Sequence, residues 1–533
     1  MRKALLALSL MAAGAAFAAG TDPQSAANIH AHIAFLASDL LKGREAGTPE
    51  YDIAAAYVAS QMEQLGLKPG AGKSYFQHVP LTAYRPAGQG SLAVKRADGK
   101  TVPLVFGADY VPRSNLLFPT LKLDKPMVFV GYGITAPEHG RDDYKGMDVK
   151  GKIAVILYAA PKSYQSEERA YYMLSTTKYE AAAAHGAAGV LFISNPVLDK
   201  IAPFADNARQ YQSWGMTWRK SDGKPFTHAT LPGAGMLSMA GARKLFAGAK
   251  LSADQVFAAM DSANSAVPSF ALPGSLLADE KTEIKNVESE NIVGILPGAD
   301  PKLKNEYVVL SAHLDHIGVT PPVKGDSINN GALDNASGVA TTLEVARLFN
   351  ASGNPPRRSM IFLIDTGEEK GLVGAEYFAH NPTVSKAQIA SDVDLDMPVL
   401  TYDFTDVTAF GADRSSIGPS VKKAAAGMNI ALSPDPDPDQ ATFVRSDHYR
   451  FVEQGIPAVF LATGYANGGK AAWEDFGKNH YHKPSDDLNL PIRYDVGAKF
   501  AKLNYAISRE LADADARPAW NKGDFFGQKF GKR

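Results

Sequence analysis

The chain has no cysteine among its 533 residues. Disulfides are therefore excluded, as is a lipid attached through a cysteine, and any metal must be held by His, Asp and Glu. An excess of either charge is also missing, since the formal net charge is −1 and the pI about 6.9. Acidic and basic residues are interspersed, with no basic stripe to suggest nucleic acid and no acidic tail to suggest a tether. Beyond the first twenty residues, no apolar run is long enough to cross a bilayer.

What is present begins with "MRKALLALSLMAAGAAFAAG". Arg2 and Lys3 precede a short apolar run, and Ala16, Phe17 and Ala18 form a small-x-small cleavage site. Residues 1–19 read as a secretory signal peptide, so the mature protein is expected in the periplasm or outside the cell, without a membrane anchor. The length exceeds that of one ordinary core and predicts two or three domains. We expect N-terminal helices and a lead-in over 20–120, an inserted smaller domain over 121–275 and a main domain over 276–533.

Apolar spacing predicts helices over 27–41 and 51–65, with Gly43 and Gly47 breaking the stretch between them. Residues 126–195 form a small α/β pattern: "MVFVGYGI" and "GKIAVILYA" are strand-like, and "TTKYEAAAAHGAAGVLFIS" is a helix feeding a strand. Helix is expected again over 240–260, then a small-residue linker ending near 275. Trp214 and Trp218 read as packing residues, and "SPDPDPDQ" (433–440) as a stiff solvated loop. From about 285, "ENIVGILPG", "EYVVLSAHLD", "SMIFLIDTG" and "IPAVFLATG" alternate with helical stretches over 336–349 and 372–379. Such alternation predicts an α/β fold, a doubly wound and mostly parallel sheet with helices on both faces. Sheets of this kind bind ligands beyond the carboxyl ends of their strands.

The loop "HLDHIGVTPPVKGDSINNGALDNASG" (313–338) carries more His and Asp than a connection needs. His313 and Asp315 sit where a strand ends, Asp334 precedes a helix, and Glu368 and Glu369 follow the next strand. Asp396 lies in "VDLDMP" and His482 in "HYHKPSDDL". Each alone has an ordinary structural explanation: an incidental His-x-Asp, a helix N-cap at Asp334, a solvated helix start at Glu368 and Glu369, a loop histidine at His482. Their convergence on one sheet edge points instead to a two-metal centre. Three carboxylates (Asp334, Glu369, Asp396) and one hydroxide would balance two divalent ions, with two imidazoles completing the set. Asp315, two residues from His313, is expected to hold that imidazole's other nitrogen. Adjacent residues point apart, so Glu369 could bind metal while Glu368 handles protons.

"SAHLDHIG", "GALDNASGVA", "IDTGEEKGLVGAEYF", "DLDMP", "RSDHYRFVEQGIPAVFL" and "YHKPSDD" resemble, in order, the motifs of the co-catalytic di-zinc exopeptidases. That family includes bacterial leucyl-type aminopeptidases, with glutamate carboxypeptidase and transferrin receptor as relatives. The resemblance covers 285–490 and extends to the leading helices. It implies two zinc ions per chain, one held by His313, Asp334 and Asp396, the other by Asp334, Glu369 and His482. It further implies Glu368 as general base, Tyr481 as the tyrosine that steadies the oxyanion, Arg445 at the substrate site, and a cis Asp334–Asn335 peptide. Asp394 departs from the family's commoner asparagine. Residues 126–195 resemble the protease-associated (PA) domain often inserted in these enzymes, as a wall of the cleft or a mere spacer. The implied activity is hydrolysis of N-terminal peptide bonds. A dipeptidase or carboxypeptidase, a one-zinc glutaminyl cyclase and a non-enzymatic binding protein are the rival readings. The preferred residue and the oligomeric state are not encoded legibly.

Overall fold

The computed structural model describes residues 23–262 and 266–531. The expected signal segment lies outside them. No described helix is long and apolar enough to cross a membrane.

Two helices lead the chain, Pro23–Leu36 (α1) and Pro49–Gln64 (α2). Thr48 caps α2, its hydroxyl accepting from the Tyr51 N–H, and Pro49 starts the first turn where no backbone donor is needed. Strand Phe76–Pro86 (β1) then carries the chain toward a smaller sheet. There Thr120–Val130 (β2), Ile153–Leu157 (β3), Gly189–Ile193 (β4) and Gly233–Leu237 (β5) run parallel in that order. Helices Ser166–Met173 (α3) and Ser175–Ala184 (α4) connect β3 to β4.

The chain returns through one 28-residue strand, Ser269–Leu296 (β6). Its first part pairs antiparallel with β2 in the smaller sheet, its middle with β1, and its last residues with the larger sheet. The small-residue stretch expected to be a linker near 275 is thus part of a strand, because both edges beside it offer unpaired backbone groups.

The larger sheet adds Tyr307–His313 (β7), Ser359–Asp365 (β8), Ile389–Asp394 (β9), Asp406–Phe410 (β10) and Ala458–Thr463 (β11). Its order is β1-β6-β8-β7-β9-β11-β10. The four strands β8, β7, β9 and β11 are parallel, while β1, β6 and β10 run antiparallel to their neighbours. This is the expected mixed, mostly parallel α/β sheet.

Its apolar runs are continuous because both faces are covered. Val308, Leu310 and Ala312 face a core shared with α1, Ser337–Ala351 (α5) and Tyr494–Asp513 (α8). Val309, Ile361 and Leu363 face the other side, against Val373–His380 (α6) and His448–Glu453 (α7). Burying one such side chain is worth ~1.5–3 kcal/mol, so a one-residue slip of register would be strongly opposed.

Two other expectations change in detail. The helix expected over 240–260 is two, Met239–Leu245 and Ala253–Asp261, separated by Gly248 at positive φ and restarted by a Ser252–Gln255 capping box. The acidic run 433–440 is not a free loop. Ser166 and Arg169 of α3 bind Asp435 and Asp439, which ties the smaller sheet's helix to the larger domain. Trp218 is buried, stacked on Phe226 and donating to Glu376 at 2.9 Å, a packing role as expected.

Candidate metal centre

Parallel strands end at one edge, and the edge collects the polar residues. His313 closes β7, Glu368 and Glu369 follow β8, and Asp396 follows β9. Asp334 comes from the segment entering α5, and His482 from the loop before α8.

Asp334 lies at the middle of the group. Its Oδ1 faces His313 Nε2 at 3.3 Å, and the same nitrogen is 3.1 Å from Asp396 Oδ1. Its Oδ2 faces His482 Nε2 at 3.4 Å, which in turn is 3.1 Å from Glu369 Oε2. The structure adds a residue that the motif reading left unassigned. His316, fully buried, places Nδ1 2.6 Å from Glu369 Oε1 and 4.0 Å from Asp334 Oδ2. Two sets able to hold a cation share Asp334: His313, Asp334 and Asp396, and His316, Asp334 and Glu369, with His482 beside the second.

Several of these atoms are buried yet make no hydrogen bond: both ring nitrogens of His316, Nε2 of His482 and Oε1 of Glu369. Buried polar atoms without partners are rare, and here they crowd around common points. An all-N/O donor set with this pattern fits divalent zinc, manganese or cobalt.

Backbone clamps hold the donors in place. Asp486 accepts from the Leu333 and Asp334 N–H groups at 2.9 and 3.0 Å. Asn335 donates to the Leu395 carbonyl at 2.9 Å and accepts from Met397 N–H at 3.1 Å, which joins the Asp334 turn to the Asp396 turn. The Asp334–Asn335 peptide is cis. Gly331, at φ +62°, has no room for a Cβ, which would sit 2.1 Å from the Asp334 carbonyl and 2.7 Å from the His316 ring.

Arg44, from the "KGREAG" turn between α1 and α2, is fully buried beneath this loop. It donates to the carbonyls of Leu314 at 2.6 Å, Leu36 at 2.9 Å and Gly331 at 2.8 Å, and to that of Asn330. Burial pulls its pKa down to about 10, against the pull of Asp334, Asp486, Asp315 and Glu369. One guanidinium thus fixes both ends of the 314–331 loop and lends positive charge below the carboxylates.

The two adjacent glutamates are driven in opposite directions. Burial pushes Glu368 well above the ordinary carboxylate range, with Asp396, Glu369 and Asp334 adding to the rise against His313. Burial raises Glu369 too, but His482 and His316 outweigh it and hold Glu369 well below that range. Such divergence separates a proton carrier from a permanent anion. Burial also lowers His316, which favours a neutral imidazole able to donate a lone pair. Behind the donors lie more buried acids; desolvation lifts Asp365 to about 8 and Asp315 to about 6.

The expected role of Asp315 is corrected. His313 Nδ1 meets the Asp315 backbone carbonyl at 3.0 Å, whereas the Asp315 carboxylate accepts from the Glu368 N–H at 3.1 Å. β7 ends at His313, so strand alternation no longer aligns the two side chains. Asp315 therefore orients the glutamate turn rather than the imidazole. Tyr481 stacks on His482, ring centroids 3.8 Å apart, and its hydroxyl accepts from Arg445 Nη2 at 3.2 Å. Both line a pocket of about 180 Å³ together with Asp334, Glu368, Asp396 and His482. The remaining walls are mostly apolar, with Phe410, Phe460, Ala462, Trp473 and Phe476, while Asp435 and Asp437 add carboxylates.

Residues 291–507 match the family model described as peptidase family M28, and residues 101–216 match the PA domain. The stretch that carries the candidate metal centre is thus similar to peptidase family M28. The chain is 31% identical over 178 residues to leupeptin-inactivating enzyme 1 of Streptomyces exfoliatus, a match over 33% of this chain and 36% of that protein. It is 27% identical over 264 residues to a probable zinc metalloprotease of Pyricularia oryzae, a match over 43% of this chain and 51% of that one. The chain thus spans about a third to a half of the length of these relatives. The fold as a whole, the PA-domain match included, is similar to an aminopeptidase from Aneurinibacillus sp. strain AM-1, at 20% identity and TM-score 0.52 over 93% of this chain and 95% of that one.

Proposed function

We propose that the chain is an exported, zinc-dependent aminopeptidase that uses two metal ions. The observation that carries this reading is the division of Asp334, one carboxylate oxygen facing His313 and Asp396 and the other facing His482, His316 and Glu369. A carboxylate so placed suits a bridge between two sites. The first ion would be held by His313, Asp334 and Asp396, the second by Asp334, Glu369 and His482, with His316 Nδ1 also within reach of the second. Bound there, the ions supply Lewis acidity that activates water and polarises the scissile carbonyl.

The side chains do the rest. Glu368, raised by burial and 3.9 Å from His313 Nε2, takes the proton from the attacking water and passes it to the leaving amine. The Tyr481 hydroxyl donates toward the carbonyl oxygen as negative charge develops, and Arg445 braces that hydroxyl and raises the local positive potential. The apolar walls around Phe410, Phe460 and Trp473 favour an apolar N-terminal side chain. Leupeptin-inactivating enzyme 1 and the Aneurinibacillus aminopeptidase carry names that agree with peptide-bond hydrolysis.

The test is metal analysis of the purified chain beside its action on leucyl arylamide and on an N-blocked dipeptide. Two zinc ions per chain, with chelator-sensitive cleavage of the arylamide alone, is the expected result. Cleavage of the N-blocked dipeptide alone would show a carboxypeptidase, one zinc a cyclase-like enzyme, and no metal a binding protein.

A further inference from the structure

A second open pocket, of about 300 Å³, lies on the PA domain. It is lined by Tyr84, Arg113, Tyr179 and Tyr211, among others. The Arg113 guanidinium lies 5.4 Å from the Tyr179 ring centroid and 5.7 Å from that of Phe192. Among the described residues no carboxylate stands within ion-pair distance of it, and the hydroxyls of Tyr84, Tyr158 and Tyr179 make no hydrogen bond to protein. The buried Glu280 nearby is not a counter-ion for the guanidinium: only the Arg113 backbone meets it, and burial lifts its carboxyl to about 8.

The position is linked to the pocket of the candidate metal centre through shared charged neighbours. Tyr158 lies within electrostatic reach of both Arg113 and Arg445, and Arg445 lines the pocket that holds Asp334 and Glu368. Tyr84 is within reach of Arg113 and of Glu376 on α6 of the M28 domain. The joint is fixed by α3, through Arg169 to Asp439, and by Arg414 of the M28 domain, which binds Glu167 at 2.9 Å and Glu168 at 3.1 Å. A guanidinium without an acid, ringed by phenol donors, matches the planar two-oxygen acceptor of a carboxylate.

We propose that Arg113, framed by Tyr84, Tyr158 and Tyr179, binds the C-terminal carboxylate of a short peptide whose N-terminus occupies the candidate metal centre. This deepens the aminopeptidase reading and rests on it: the PA domain would select free oligopeptides over amidated peptides and longer chains whose terminus lies elsewhere. Arg113 acts in binding, not in bond cleavage.

The experiment compares leucyl-peptides from dipeptide to hexapeptide, as free acids and as C-terminal amides, on the metal-loaded protein. At one favoured length the free acid is expected to exceed its amide in kcat/KM by roughly ten- to hundredfold, mostly through KM, as suits a charge-assisted pair. Arg113→Ala and Arg113→Gln should bring that ratio close to one, Arg113→Lys should restore part of it, and Tyr84→Phe should lower it while leaving the fold's ring packing. Equal rates for acid and amide at every length, or an Arg113→Ala loss that leaves the ratio unchanged, would overturn the proposal. Leucyl arylamide, which has no carboxylate, reports the aminopeptidase reading separately. If it is not cleaved, calorimetric binding of peptides with a reduced first amide (CH2–NH), as acid and as amide, still decides whether Arg113 distinguishes them.

Discussion

The two pockets of this molecule handle charge in opposite ways. At the M28 edge, carboxylates outnumber cations and several donor atoms are buried without hydrogen bonds, balanced in part by Arg44 from below. At the PA face, among the described residues, one guanidinium stands with no carboxylate within ion-pair distance. The first pattern is what a cation-binding centre needs, and the second is what an anion-binding subsite needs. The contrast teaches that a site can be recognised by the partner its side chains lack. Together the two would hold both ends of one small zwitterionic substrate.

The largest effect should come from the proton carrier. Glu368→Gln is expected to lower kcat/KM by ~10²–10⁴-fold while the metal content stays unchanged, since the proposed role of Glu368 is to move protons and not to hold metal. Near-normal turnover in that variant would remove it from the chemistry and merge its role with that of Glu369. Next is the residue that supports the acid-rich side. Arg44→Met leaves the carbonyls of Leu314, Leu36, Asn330 and Gly331 without their donor, each worth ~1–3 kcal/mol when buried. A marked drop in the denaturation midpoint, measured by urea titration with and without zinc, is expected, and an unchanged midpoint would deny the clamp.

A smaller change is expected from His316→Gln, about ten- to hundredfold weaker zinc affinity in chelator competition, the range seen when groups around a metal are lost. No change in affinity would leave His316 a packing residue.

The smallest effect concerns pH on the PA side. Glu280 is held neutral up to about 8 by burial, whereas the unfolded chain ionises it near 4.5. The folded state therefore binds more protons between those values, and this group's contribution to stability falls as pH rises from about 4.5 to about 8. Thermal midpoints at pH 5 and pH 8 should differ less in Glu280→Gln than in the parent chain. Equal slopes would show that the carboxyl finds relief on ionising.

Much of this was readable from the chain. The strands β7, β8 and β11 stood out as apolar runs because they are buried on both faces, and residues at their carboxyl ends fell together as such sheets require. His316 was hidden in plain view in "HLDHIG", one residue after Asp315 and without a pattern to mark it. Arg44, Asn335 and Asp486 were missed for another reason. Most of the contacts that give them their role are to backbone groups 60 or more residues away, as with Asn335 and the Leu395 carbonyl, and no local spacing encodes such contacts. Asp315 was misassigned because strand alternation was carried past the end of β7. Arg113 could not be singled out at all, since its significance lies in what does not surround it.

The continuous β6 has a consequence for how substrates are admitted. An inserted domain joined by flexible tethers can swing, and its doorway then changes width with each visit. Here the same backbone ribbon is stitched into both sheets, from Ser269 to Leu296, so tilting one against the other would tear successive rungs of the ladder. If both pockets hold one substrate as proposed, the span between them would be set by this shared strand, and peptide length would be measured against a ruler rather than a closing hand.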